Sequence, residues 1–181
     1  MNTDYIYLMV KSMWKRIGMR FHESPQRLVV AQALIRHGFH VEGEGDIRCG
    51  AIRIPLKSIG DALGVDRRTV RATTEEIWED SELRLFFSRL RPAGASLEKV
   101  SQVFGYGVVT IYVESPEDPG ILSKVAATIA GQGIQIRQVI AEDVAIYQEP
   151  CLKVITEKPL PGNVIESLTI IQGVSKVIFE K

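Results

Sequence analysis

The sequence predicts an α+β protein with two different parts, a helical part followed by a part with the element order β-α-β-β-α-β. Apolar residues recur at helical spacing in the first half and alternate as in strands after Gly107. Between these stretches, proline and glycine at residues 91–95 end one structure and permit another. We therefore predict domains at residues 13–92 and 106–181, a linker with a short helix at 93–105, and an N-terminal extension at 1–12.

Composition limits what the chain can bind. It has 181 residues, 45% of them hydrophobic, and a formal net charge of zero. Because no overall positive charge attracts nucleic acid or anionic membranes, such binding would have to rest on a local patch. The two cysteines, Cys49 and Cys151, are far apart and lack metal-ligand spacing, which indicates reduced thiols in a cytoplasmic protein. The apolar run at residues 5–10 is too short to span a bilayer, so no membrane partner is expected.

The first clearly signalled helix begins at Pro25. Ser24 can cap it, a proline suits its first position, and Gly38 fits its C-terminal stop. The stretch 41–54 is rich in glycine and charge and alternates towards its end, which predicts a small hairpin or wing. Pro55 ends this stretch and leads into a compact pair of helices.

Residues 56–71 predict two helices joined by a tight turn. Gly60 is small where the second helix crosses the first, and Gly64 can adopt the left-handed conformation of the turn. Asp66 can cap the second helix. The spacing places Ile59 and Leu63 on one face of the first helix. The buried face of the second helix is predicted to contain Val70, Thr73 and Ile77.

This pair resembles the helix-turn-helix of DNA-binding proteins, whose second helix enters the major groove. At about 100° per residue, the side opposite the buried face carries several arginines. Arginines at such a position suit phosphate contacts and guanine edges. Arg48 and Arg53 can extend the positive surface. The candidate DNA-binding residues are Lys57, Arg67, Arg68, Arg71 and Thr74. Two alternatives stay open, a solvated helix face and a helix pair that contacts another protein.

In the second part, each predicted strand and helix has its own pattern of apolar residues. Strands are predicted at 108–113, 134–140, 152–156 and 174–179, with helices at 121–130 and around 164–171. Two crossover helices on one face of a four-stranded antiparallel sheet is the ferredoxin-like arrangement. RNA-recognition domains share this plan, but they stack bases on aromatic residues of the central strands. The strand at 151–156 has no aromatic residue, which disfavours RNA binding.

The most informative motif follows the first of these strands. It is the acidic Pro-Gly turn Glu117-Asp118-Pro119-Gly120-Ile121-Leu122. A turn that passes directly into a helix leaves the first N–H groups of that helix free, and these attract a carboxylate or phosphate. Gly120 lets a ligand approach the main chain. The alternative is an ordinary turn between a strand and a helix.

With this turn and the segment Gln132-Gly133-Ile134-Gln135-Ile136, residues 106–181 resemble the ACT domain, a regulatory module that binds amino acids and related metabolites. The resemblance implies a homodimer or higher homo-oligomer with the ligand between two domains. Many amino-acid-binding members carry Asn before the Pro-Gly, where this chain has Glu117-Asp118, so the ligand class stays open. The implied ligand-binding residues are Glu117, Asp118, Pro119, Gly120, Ile121 and Leu122, with Gln135 of the partner subunit.

Four further segments are informative: Gly64-Val65-Asp66-Arg67-Arg68-Thr69-Val70-Arg71, Leu90-Arg91-Pro92-Ala93-Gly94, Ile136-Arg137-Gln138-Val139-Ile140-Ala141-Glu142-Asp143 and Thr156-Glu157-Lys158-Pro159-Leu160-Pro161-Gly162. In these segments the chain, from Met13 onward, resembles an archaeal family of predicted regulators of amino-acid metabolism that contain an ACT domain. The resemblance implies a ligand-responsive transcriptional regulator that binds double-stranded DNA. The alternative is a non-catalytic regulatory subunit of a biosynthetic enzyme. Residues 1–12 lie outside the match and are either a true extension or the result of an early start codon, with Met9 and Met13 as alternative starts.

Catalysis by this chain is not expected. His22, His37 and His40 lie near no arrangement that suggests a nucleophile, and no glycine-rich phosphate loop is present. The acidic pair Glu142-Asp143 ends a strand and is interpreted as solvated. We predict no cofactor and no metal site.

Overall fold

The computed structural model describes residues 13–180, so the predicted extension at 1–12 lies outside the described residues. The chain divides into two compact units, Met1–Ala93 and Gly94–Lys181. Helices and two antiparallel sheets make up the described part, which agrees with the predicted α+β class. The first unit contains α1 (residues 13–21), α2 (Pro25–His37), β1 (His40–Gly43), β2 (Asp46–Cys49), β3 (Ile52–Ile54), α3 (Leu56–Leu63), α4 (Arg67–Glu79) and α5 (Ser81–Arg89).

Helix α2 begins and ends where the sequence predicts. Pro25 occupies its first turn, and Gly38 ends it with a left-handed φ of 64°. A Cβ on Gly38 would lie 2.6 Å from the carbonyl group of Arg91, so glycine is also required by the close passage of the chain there. The side chain of Ser24 makes no capping hydrogen bond. The predicted hairpin is extended by a third strand, in the order β1-β2-β3.

The helix pair α3–α4 has the predicted turn. Gly64 has a φ of 67°, and the Asp66 carboxylate accepts a 2.7 Å hydrogen bond from the N–H of Arg68. A Cβ on Gly60 would lie 2.6 Å from the carbonyl oxygen of Val65, which explains the glycine at this position. The predicted buried face of α4 is confirmed, because its three residues are 0% exposed: Val70, Thr73 and Ile77.

The second unit begins with a short helical segment, a 3-10 turn at Glu98–Val100 followed by α6 (Ser101–Phe104). This segment supplies the short helix that the sequence predicts within 93–105. Val100 is 39% and Phe104 59% exposed, whereas Ser101 is buried. Polar contacts hold the segment instead, as shown below.

The rest of the second unit has the predicted element order. Its sheet has the strand order β5-β6-β4-β7 with antiparallel neighbours throughout. Both long helices pack on one face of it, burying Val125, Ile129, Val164 and Leu168 against the strands. These elements are β4 (Gly107–Val113), α7 (Ile121–Ala130), β5 (Ile136–Ala141), β6 (Cys151–Thr156), α8 (Gly162–Thr169) and β7 (Val174–Glu180).

The start of β5 and the end of α8 each differ from the prediction by two residues. Strand β5 begins at Ile136 because Ile134 is buried in the turn after Gly133, which has a φ of 69°. Helix α8 ends at Thr169, before Ile171. Within residues 13–180, no helix is both long and apolar enough to cross a bilayer.

Candidate functional site

The Pro-Gly loop occupies residues 114–120, between β4 and α7. Gly120 is the N-cap of α7 with a φ of 94°, and no side chain caps this end of the helix. The hydroxyl of Ser123 and the N–H of Lys124 both donate to the carbonyl of Gly120, at 2.8 and 3.1 Å. The main chain thus turns sharply into the helix, and the first-turn N–H groups remain open to a ligand.

A cavity of about 170 Å³ lies beside this turn. Four of the predicted ligand-binding residues line it, while Glu117 and Pro119 are exposed and do not. Its opposite wall comes from the end of β5 and the start of β6, including Glu142 and Cys151. The cavity therefore lies where two loops meet at one end of the sheet. The four predicted residues that line it are Asp118, Gly120, Ile121 and Leu122.

Glu142 is one of the cavity residues that the sequence argument missed. Its side chain is 14% exposed, so the interpretation of a solvated carboxylate is wrong. It accepts hydrogen bonds from the backbone N–H and the thiol of Cys151, both at 3.2 Å. Burial, with help from this carboxylate, raises the pKa of Cys151 to about 11. Alternation was the available signal, since Glu142 follows Gln138 and Ile140 at a spacing of two.

Gln135 does not join this cavity within one chain. It immediately precedes β5, beside the end of β6, where its carbonyl accepts a 2.9 Å hydrogen bond from the N–H of Glu157. The Pro-Gly loop lies at the other end of the sheet, about 20 Å away at about 3.3 Å for each residue of β4. Only a second chain could bring Gln135 to the loop.

The candidate DNA-binding residues divide into two groups. Arg67 and Arg68 are exposed at the start of α4, and within residues 13–180 neither has an acidic partner. Arg71 pairs with Glu75 at 3.0 Å, four residues along the same helix. In α3, Lys57 pairs with Asp61 at 2.6 Å. Part of the positive charge of the helix pair is therefore balanced by its own carboxylates.

Thr74 was expected on the exposed face of α4, and that expectation is wrong. It is 0% exposed, and its hydroxyl accepts a 2.7 Å hydrogen bond from the N–H of Gly45. The turn between β1 and β2 covers this part of the helix, a contact that helical periodicity alone cannot indicate. The arginines of the sheet are also paired, since Arg48 and Arg53 both contact Asp46, at 3.1 and 3.4 Å.

The histidines occupy three different settings. His22 is exposed, His37 stacks on Phe39, and His40 is buried with Nε2 3.3 Å from Glu42. In the described part of the chain, no three His, Cys, Asp or Glu side chains are grouped so that they could hold a metal ion. No protein-family model matches the chain, and no curated protein matches it.

Proposed function

We propose that the chain is a ligand-responsive transcriptional regulator of amino-acid metabolism. Its first unit would bind double-stranded DNA through a helix-turn-helix formed by α3 and α4. Its second unit would act as a ferredoxin-like ACT domain that senses an amino acid or a similar metabolite. The observation that carries the proposal is the cavity beside the open first turn of α7.

The size and lining of this cavity suit a small zwitterion. A cavity of about 150 Å³ can hold a molecule of the size of benzene, and this one has about 170 Å³. The first-turn N–H groups of α7 favour a carboxylate. Asp118 and Glu142, which also line the cavity, favour an ammonium group. An α-amino acid carries both groups.

The DNA-binding half of the proposal depends on the start of α4. Arg67 and Arg68 are exposed where the second helix of a helix-turn-helix meets base edges and phosphates. The charge of the whole chain is zero, so this local pair would have to supply most of the attraction. Binding should consequently weaken with salt, with a slope set by the small number of phosphate contacts that this pair can make.

Two measurements on the purified full chain test the proposal. A thermal-shift screen of the twenty common amino acids should find one that stabilises the chain by mass action. Repeated selection from a random duplex pool, with and without that amino acid, should enrich a defined sequence in one of the two conditions. No stabilising amino acid would contradict the sensing half.

A second function is favoured by the ion pairs of the helix pair. Because Lys57 and Arg71 are both matched by carboxylates, the surface is less positive than its sequence indicates. A non-catalytic subunit that binds a metabolite and regulates a biosynthetic enzyme would not need a positive surface there. Amino-acid binding without any duplex enrichment would favour this function over DNA binding.

A further inference from the structure

Lys153 lies between two carboxylates from different parts of the second unit. Its ammonium nitrogen is 3.0 Å from Oε2 of Glu98 and 3.8 Å from Oε1 of Glu142. All three side chains are largely buried, with 23%, 18% and 14% of their surfaces exposed for Lys153, Glu98 and Glu142. The hydrogen bond to Glu98 raises the pKa of Lys153, so this side chain stays charged near neutral pH.

The two carboxylates belong to two different structural features. Glu142 lines the cavity beside Gly120. Glu98 belongs to the segment 94–104, which in sequence directly follows the first unit. Gln138 of β5 holds the same segment, because it accepts from the N–H of Leu97 and donates to the carbonyl of Ala95, both at 2.8 Å. The shared lysine therefore connects the cavity wall with the segment that joins the two units.

We propose that Glu142 receives the ammonium group of the ligand and that Lys153 transmits its arrival to the segment 94–104. The ligand would displace Lys153 from Glu142 towards Glu98, which tightens the docking of the segment on the sheet. This inference rests on the proposed sensing function. It adds a residue that recognises the ligand and a path by which ligand binding affects the segment 94–104.

The direction of the effect follows from the charges. Lys153 is shared by Glu98 and Glu142, and these two carboxylates repel each other. A bound ammonium group neutralises Glu142 and repels Lys153. Among the described residues, Glu98 is then the nearest carboxylate left for Lys153. Because these groups are largely buried, solvent and salt screen the effect only weakly.

Hydrogen exchange at the amide of Leu97 measures how often the segment undocks, since that N–H is bonded to Gln138. In the ligand-free full chain, Glu142→Gln removes the competing charge, as a ligand ammonium would. We expect Leu97 to exchange about three- to tenfold more slowly in this variant. Lys153→Met removes the shared cation, and exchange should become faster by a similar factor.

Two variants serve as matched controls. Lys99 is 87% exposed and lies 4.0 Å from Glu98, so Lys99→Met should change the exchange of Leu97 little. Glu149 is exposed in the loop before β6 and does not line the cavity, so Glu149→Gln should have no effect. Unchanged or faster exchange in Glu142→Gln overturns the coupling, as does unchanged exchange in Lys153→Met.

Ligand binding separates this inference from the proposed function. An amino acid that stabilises the wild-type chain should slow exchange at Leu97 and bind Glu142→Gln about tenfold more weakly. Equal affinity for both proteins would overturn the role of Glu142 and leave sensing intact. If none of the twenty amino acids binds, sensing and the ligand half of this inference both fail. The ligand-free exchange experiment still decides whether Glu142 and the segment are coupled.

Discussion

The backbone N–H of Gly45, in the turn between β1 and β2, donates a 2.7 Å hydrogen bond to the buried hydroxyl of Thr74 in α4. The same hydroxyl donates to the carbonyl of Arg71 at 2.7 Å. The Thr74 side chain thus connects the three-stranded sheet to α4. The bond fixes how the turn covers α4, and it removes Thr74 from any surface that could meet DNA.

Replacing Thr74 with valine keeps the shape and leaves the buried N–H of Gly45 without a partner. We expect a loss of about 1–3 kcal/mol in the free energy of unfolding, the usual cost of a buried unsatisfied group. Urea unfolding followed by tryptophan fluorescence measures it, because Trp14 and Trp78, the only tryptophans, both lie in the first unit. Thr73→Val is the control, since Thr73 bonds only within its own helix and should cost less. Equal losses would contradict the role of the bond to Gly45.

Arg67 and Arg68 should carry most of the duplex affinity. Replacing both with alanine should weaken binding to a selected duplex by several kcal/mol, at about 1–3 kcal/mol for each good base contact. Gel-shift titration at fixed salt measures the change. Arg89→Ala, an exposed arginine on α5, is the control and should bind normally. Affinity that survives the double substitution would indicate a helix pair that contacts protein.

Glu75 should restrain Arg71. Because the two side chains pair at 3.0 Å, Glu75→Gln frees the guanidinium for a phosphate and removes a repulsive carboxylate. We expect duplex affinity to increase, by about 1 kcal/mol or less for an exposed pair. The same titration measures it, with Glu79→Gln at the exposed end of the helix for comparison. A decrease would show that Arg71 does not face the duplex.

Gly120→Val should abolish the thermal shift produced by the amino-acid ligand. The residue lines the cavity, and its φ of 94° strains any side chain placed there. Gly133→Val is a matched control, because Gly133 also has a positive φ, of 69°, but lies outside the cavity. Both variants should lose some stability, and only the first should lose ligand response. Full response in Gly120→Val would place the sensing site elsewhere.

Acid should destabilise the first unit partly through Asp80. Burial acts to raise the pKa of this carboxyl, but hydrogen bonds from Arg16 and from the N–H groups of Leu83 and Glu82 hold it below its usual value. A lowered pKa in the folded state means that the stabilisation is present above about pH 4 and is lost as the pH falls further. Asp80→Asn should therefore be less stable at pH 7 and lose less stability on acidification. Parallel curves of stability against pH for the two proteins would refute this.

The full chain should be at least dimeric at micromolar concentration. Strand β7 is an edge of its sheet and exposes two large apolar side chains, Ile178 at 39% and Phe179 at 47%. Phe179→Lys should shift the sedimentation coefficient to that of a monomer. Val139→Lys, at the opposite edge strand β5, is the control and should sediment as the wild type. A wild-type monomer would also exclude a ligand site shared with the partner subunit's Gln135.

Much of the fold can be predicted from the sequence, because turns, caps and helix ends are determined by a few neighbouring residues. Gly64 and Asp66 define the turn of the helix pair, and the limits of α7 follow from its glycines and its amphipathic pattern. Contacts between distant residues leave no such signal. The bond from Gly45 to Thr74 joins positions 29 residues apart, and the pair of Lys153 with Glu98 joins positions 55 apart.

For the same reason, only one of the two loops that form the candidate cavity could be predicted from the sequence. The Pro-Gly turn is a local pattern, so its residues could be named from the sequence. Glu142 was interpreted as solvated although it alternates with Gln138 and Ile140, because its hydrogen-bond partner Cys151 lies nine residues further along the chain. Recognition sites built from two loops require the pairing of the strands, here β5 with β6, before their residues can be assembled.

The thiol of the first unit and the thiol of the second unit should react differently with alkylating reagents. Cys151 is 7% exposed, and with a pKa of about 11 its thiol is almost entirely protonated near pH 8. Because maleimides react with the thiolate, they should react with Cys151 only slowly. Cys49, on β2 of the first unit, is partly exposed. We therefore expect a fluorophore to attach to the folded wild-type chain at Cys49 and not at Cys151. Later labelling of Cys151 would report the opening of β6.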